Sequence, residues 1–248
     1  MATNYSPKIV TDNLVLAWNG LCLRCWNGSS SSSTELISSK TGTKNTSGSS
    51  TITKSNGHIL FNNADDGNRT AYFSFASSDI TVPTGNEGTW FFISRLIDAG
   101  DVDHPQFGKE TGSGWDGTDG FVFGTGWGTD GPRWGIGGTA YKVYEQTGST
   151  TGDYQEQWQI WCVTYKRNTT DGLKTYLLDK NGDRIVDERD ADDNAIGSNS
   201  NALYIGATNS RGGNWNGDFD FLYMYDRELT AKEVAQNFNA FKGRYGLT

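Results

Sequence analysis

Apolar positions recur in two periods along this chain, and nearly all follow the shorter one. Near the end, Phe219, Phe221, Tyr223 and Tyr225 alternate with Asp220, Leu222 and Met224. A period of two predicts a strand with one aromatic face. The same reading predicts strands over Asn13–Trp18 and Gly20–Trp26, His58–Phe61, Thr70–Phe75, Gly120–Gly124 and Arg133–Ile136. It continues over Trp158–Tyr165, Leu173–Leu178 and Ala202–Gly206. Thr89–Ile97 is almost unbroken in apolar residues, which predicts a central strand covered on both faces. Turn chemistry joins these runs: Arg167–Gly172 predicts one hairpin, and the Asn181-Gly182 pair predicts another. Two stretches break the pattern. Gly28–Lys54, rich in Ser, Thr and Gly, predicts a long loop or mobile tip, and Asp187–Asp193 predicts an acidic loop.

The longer period occurs once. Thr230 stands three residues before Glu233, the spacing of a capping box, and Leu229 and Val234 make the matching hydrophobic staple. Val234, Phe238 and Phe241 then share one helical face, and Gly243 is placed to stop the helix. A single helix over 230–243 closes an otherwise all-β chain.

Composition narrows the class. With 248 residues, 32 Gly, only 4 Pro and 32 aromatic side chains (9 Trp, 11 Tyr, 12 Phe), many short strands fold into one large sandwich or barrel. A formal net charge of −8 with no basic stripe argues against nucleic acid as a partner. No apolar run is long enough to insert into a bilayer, and Met1-Ala-Thr-Asn-Tyr-Ser6 has no signal-peptide core, which predicts assembly in the cytoplasm. Cys22 and Cys25 form a C-x-x-C without a second ligand pair, so they read as strand thiols, and Cys162 reads as core.

The order Lys8–Leu16, Thr89-Trp-Phe-Phe-Ile93, Phe107-Gly-Lys109, Trp115–Phe123, Trp158–Leu178, Leu203-Tyr-Ile-Gly206 and Trp215–Tyr225 resembles the laminin-G-like, concanavalin A-like jelly roll. The ending from Glu228 to Leu247 resembles the version in structural proteins of tailed bacteriophages, especially those of marine and cyanobacterial hosts. The resemblance implies a two-sheet antiparallel jelly-roll sandwich with a short C-terminal helix, covering residues 10–248 behind an N-terminal arm at 1–9. It implies a non-enzymatic virion structural protein, a surface decoration or knob-like appendage, whose partners are other capsid or tail proteins and copies of itself. The alternative is a carbohydrate-binding module of a tail fibre that recognises host-surface glycans.

Candidate chemistry follows from loop residues. Trp115, Asp116, Asp119, Trp127, Asp130 and Trp215 combine aromatic rings with acids in turn-rich segments, the makeup of a sugar platform; the same rings also suit core caps or subunit contacts. Asp65, Asp66, Asp218 and Asp220 offer hard oxygen ligands for calcium, although no cofactor is required and hydrogen-bonded turn residues are the plainer reading. Asn62 and Asn63 stand where the resemblance implies acids, which lowers the ligand charge. Catalysis finds little support. The alternating carboxylate strand of glucanases is absent: Asp218 and Asp220 have no Glu partner, and Glu188 and Asp190 belong to a solvated acidic run. His58 and His104 lack a nucleophile elbow.

Overall fold

The structure, a computed structural model, describes residues 8–63, 70–97, 104–111, 117–125, 132–142, 155–209 and 215–247. Two antiparallel sheets stack face to face. The first contains β1 (Leu14–Asn19), β4 (Thr51–Ser55), β5 (His58–Asn62), β7 (Glu87–Leu96), β12 (Gln159–Lys166), β13 (Leu173–Asp179), β14 (Gly182–Arg189) and β16 (Gly217–Tyr225). Its order is β14-β13-β12-β7-β16-β5-β4, with β1 also on β16. The second contains β2 (Ser32–Thr34), β3 (Thr41–Thr46), β6 (Ala71–Phe75), β8 (His104–Lys109), β9 (Phe121–Thr125), β10 (Pro132–Ile136), β11 (Thr139–Lys142) and β15 (Leu203–Ile205), in the order β11-β10-β9-β8-β15-β6-β3-β2. One helix, α1 (Ala231–Phe241), follows β16. Eight of the fifteen connections between consecutive described strands cross from one sheet to the other, the connectivity of an antiparallel jelly-roll sandwich.

Two apolar layers result. The inner one lies between the sheets and includes Trp18, Phe73, Trp90, Phe92, Phe107, Trp134, Trp161 and Phe219. The outer one lies on the other face of the first sheet, where Phe91, Ile93, Cys162, Phe221 and Tyr223 meet Leu229, Val234, Phe238 and Tyr245 from the C-terminal segment. As expected of an almost unbroken apolar run, β7 is central and buried on both sides.

Several expectations change. The aromatic alternation of β16 does not stay on one face: a bulge between Phe219 and Phe221 sends Phe219 inward, while Phe221, Tyr223 and Tyr225 face the helix. At the bulge β16 also changes partner, from β5 at Gly217 and Asp218 to β1 from Phe221 onward. Gly28–Lys54 is not one loop but carries β2, β3 and the start of β4. Its threonines suit strands, and Gly42 leaves room for the Phe75 ring, 2.8 Å from where a Cβ would stand. Gly20–Trp26 is a succession of turns rather than a strand. Half of the acidic stretch is strand, because β14 runs to Arg189 and Arg189 pairs with Asp187 at 2.5 Å. The helix ends at Phe241, and Gly243 lies within a 3-10 turn over Lys242–Arg244. Lys8 and Val10, placed by the sequence reading in and just after the arm, are tied down. Gln236 donates to the Lys8 carbonyl, and the Val10 N–H donates to Asn237 Oδ1 at 2.8 Å.

Candidate functional site

The two outward faces of the sandwich differ. On the first sheet, α1 and the C-terminal tail cover the aromatic layer, and the tail also reaches a charged cluster beside it. Asp220 is fully buried. Its Oδ1 accepts from the Ile59 N–H at 2.9 Å, and its Oδ2 accepts from His58 Nδ1 at 2.6 Å and from the Tyr245 hydroxyl at 3.0 Å. Asp218 is clamped by Arg95, at 2.8 Å through Nε and 2.5 Å through Nη2. Burial pushes the Asp218 carboxyl up, and Arg95 pulls it part of the way back. The half-buried Trp158 ring closes the cluster, 4.5 Å from His58, 4.8 Å from Tyr245 and under the Arg95 guanidinium at 5.0 Å. The arrangement is internally satisfied and works as a structural latch for the tail.

On the second sheet the alternation of β6 and β15 leaves polar-phase positions outside. Ala71, Phe73, Phe75, Leu203 and Ile205 point into the core, so Tyr72, Ser74 and Tyr204 point away from it. Register then brings them together: Tyr204 lies opposite Ser74, Ser74 opposite Thr43, and Tyr72 opposite Asn45. The Tyr72 and Tyr204 rings stand 5.5 Å apart and tilted by 58°. Asn45 Nδ2 donates to Ser74 Oγ at 3.0 Å. Beside Tyr72 runs a groove of about 310 Å³ lined by Lys44, Asn45, Thr46, Ser47, Thr70 and Tyr72, among which no carboxylate occurs. Lys44 is anchored by the Ile52 carbonyl at 3.0 Å and lies over Trp26, and burial lowers its ammonium pKa. Further along the same sheet, Val122 of β9 is fully buried. A larger depression, about 370 Å³, lies among Asn86, Glu87, Lys166, Arg167, Asn168 and Asp193. Its charges neutralise one another, Lys166 on Glu87 at 2.9 Å and Arg167 on Asp193 at 2.7 Å.

The sequence-based sites fare unevenly. Trp115, Asp116, Trp127, Asp130, Asp65 and Asp66 lie outside the described residues. Asp119 is exposed on a turn, where its Oδ2 accepts from Thr111 at 3.1 Å. Trp215 is corrected from platform to core: it is 1 % exposed and its indole N–H donates to the Asp218 carbonyl at 3.1 Å. Asp218 is engaged by Arg95, and Asp220 by His58, Ile59 and Tyr245. Among the described residues no group of three or more His, Cys, Asp or Glu side chains is placed to hold a metal. Sequence reading passed over Tyr72 and Tyr204 as ordinary strand aromatics. The available signal was their phase, an aromatic at the polar position of an alternating strand, in Ala71–Phe75 and Leu203–Ile205.

Comparison with known proteins agrees with the fold. Domain 4 of AbnA, an extracellular arabinanase from Geobacillus stearothermophilus solved with arabinotriose, matches with a TM-score of 0.55 and 11% identity, over 92% of this chain and 98% of that one. The binding domain of Paraclostridial Mosquitocidal Protein 1 matches with a TM-score of 0.59 and 11% identity, over 94% of this chain and 52% of that one. A Trypanosoma rangeli sialidase mutant displaying trans-sialidase activity matches with a TM-score of 0.54 and 10% identity, over 95% of this chain but only 34% of that one. At these identities the likeness is one of fold, and the chain spans about half of the toxin domain and a third of the sialidase. No curated protein matches the sequence. Residues 70–235 match the laminin-G family model described as the concanavalin A-like lectin/glucanases superfamily, and the chain belongs to that superfamily.

Proposed function

We propose that this chain is a non-enzymatic recognition protein of a phage particle surface that binds carbohydrate on the outward face of its second sheet. The observation that carries the binding is the Tyr72–Tyr204 pair with Asn45 and Ser74 beside it. A sugar lays its apolar face on a ring and needs a few fixed amide and hydroxyl partners at its edge. The groove volume suits one or two sugar units. The arabinotriose held by the arabinanase domain and the binding role named for the toxin domain support the same reading.

Among the described residues the groove lining carries no carboxylate, and the proposed role is binding without catalysis. The particle context is supported by the resemblance of Glu228–Leu247 to the endings of phage structural proteins. A glycan array probed with the protein tests the binding. The reading expects a restricted set of neutral oligosaccharides to be retained and recovered at full length. A blank array contradicts recognition, and newly released reducing ends contradict the non-enzymatic role. Quantitative mass spectrometry of purified particles tests the context. A large fixed ratio to the capsid protein fits decoration, a few copies fit a tail position, and complete absence contradicts the virion role.

A further inference from the structure

The C-x-x-C segment has a geometry that its sequence does not announce. The chain turns helically there: the Cys25 N–H donates to the Cys22 carbonyl at 3.0 Å, and the Trp26 N–H donates to the same oxygen at 3.0 Å. One helical turn sets Cα atoms three residues apart at about 5 Å, and that span lies within the range a disulfide bridges. Both cysteines are free. Cys22 is partly exposed, Cys25 is buried, and the intervening Leu23 is 74% exposed, so the turn projects from the surface. Lys54 braces the segment by donating to the carbonyls of Gly20 at 3.0 Å and Leu21 at 3.1 Å.

We propose that Cys22 and Cys25 are a reversible oxidation site that closes to an intramolecular disulfide when the protein meets a small-molecule disulfide. Cys22, the accessible partner, attacks as thiolate one sulfur of oxidised glutathione. A Cys22–glutathione bond forms and one glutathione thiolate leaves. Cys25 then gives its proton to solvent and attacks Cys22 Sγ, expelling the second glutathione thiolate. The protein loses two electrons and two protons, and the glutathione disulfide is reduced to two thiols. Burial pushes the Cys25 thiol up to about 12, which makes the second step the slow one. The bridge fastens the turn behind Trp26, whose ring packs on Phe73 and under Lys44 at the edge of the tyrosine-bearing sheet.

The test equilibrates the folded protein with graded ratios of oxidised to reduced glutathione, alkylates the remaining thiols and digests with trypsin without reduction. Cleavage after Arg24 separates the two cysteines, so a bridge keeps the two fragments joined. The expected result is that joined pair, with Cys162 alkylated only after denaturation. In Cys25→Ser, the Cys22–glutathione adduct is expected to accumulate several-fold over the wild type. In Cys22→Ser, Cys25 is expected to stay unmodified in the folded protein. The proposal is overturned if both thiols remain alkylatable at every ratio. It is equally overturned if oxidation stops at the Cys22 adduct in the wild type, or joins Cys22 to another copy of the chain.

Discussion

The Asp220 carboxylate accepts from three groups on two distant segments of the chain: the Ile59 N–H and His58 ring on β5 and the Tyr245 hydroxyl of the tail. Removing one side of a buried charged network leaves its partners desolvated and unpaired, which costs about 3–5 kcal/mol. Asp220→Ala is therefore expected to lower the urea midpoint strongly. Tyr245→Phe removes one donor and its cost should stay near 1 kcal/mol. Comparable losses in the two variants would show that the carboxylate is not the hub. The sequence placed Asp220 on a strand and offered it as a candidate calcium ligand, because spacing shows that acids can meet and does not show which partners they find. Arg95, His58 and Tyr245 come from separate segments, and only the folded chain brings them to these carboxylates. Trp215 was misread for the related reason that an aromatic in a Gly- and Asn-rich stretch looks exposed, whereas the backbone turns it inward onto Asp218.

At the level of elements, α1 followed the physics legible in its sequence most closely. The capping box forms at both ends: Thr230 Oγ1 accepts from the Glu233 N–H, and the Thr230 N–H donates to Glu233 Oε2 at 2.8 Å. Arg227 adds a charged contact to Glu233 at 2.6 Å and, with the cap, holds that carboxyl down at about 2. A depressed carboxyl stabilises the fold above its unfolded value near 4.5 and loses that contribution as pH falls toward about 2. Acid titration followed by circular dichroism should accordingly show Glu233→Gln as less stable than wild type at neutral pH. The difference should vanish near pH 2. Thr230→Ala should cost about 1 kcal/mol. A gap between Glu233→Gln and wild type that persists at low pH would contradict this account. Strand β16 was legible as a strand but not in its facing, since the bulge at Asp220 depends on the exchange of β5 for β1 as partner, a long-range event. The Ser- and Thr-rich segment hid the edge strand β2 and its neighbour β3 because strands with little to bury carry no hydrophobic alternation.

For the whole molecule, the asymmetry of the two outward faces decides where a ligand can sit. The C-terminal helix and tail close the first sheet over Phe91, Phe221 and Tyr223, and this closure was readable in the staple and the helical stripe. The sandwich itself was readable from strand number, glycine-rich turns and aromatic content. The outward face of the second sheet was not, because Tyr72, Tyr204 and Asn45 lie on three strands whose register only the fold establishes. Calorimetric titration of an array-selected oligosaccharide into wild type and into Tyr72→Ala/Tyr204→Ala tests whether carbohydrate binds on this face. Both rings face away from the core, so the double variant should melt within a few degrees of wild type while its affinity falls at least tenfold, about 1.4 kcal/mol. Unchanged affinity in a folded double variant would contradict the account and place the sugar elsewhere on the molecule.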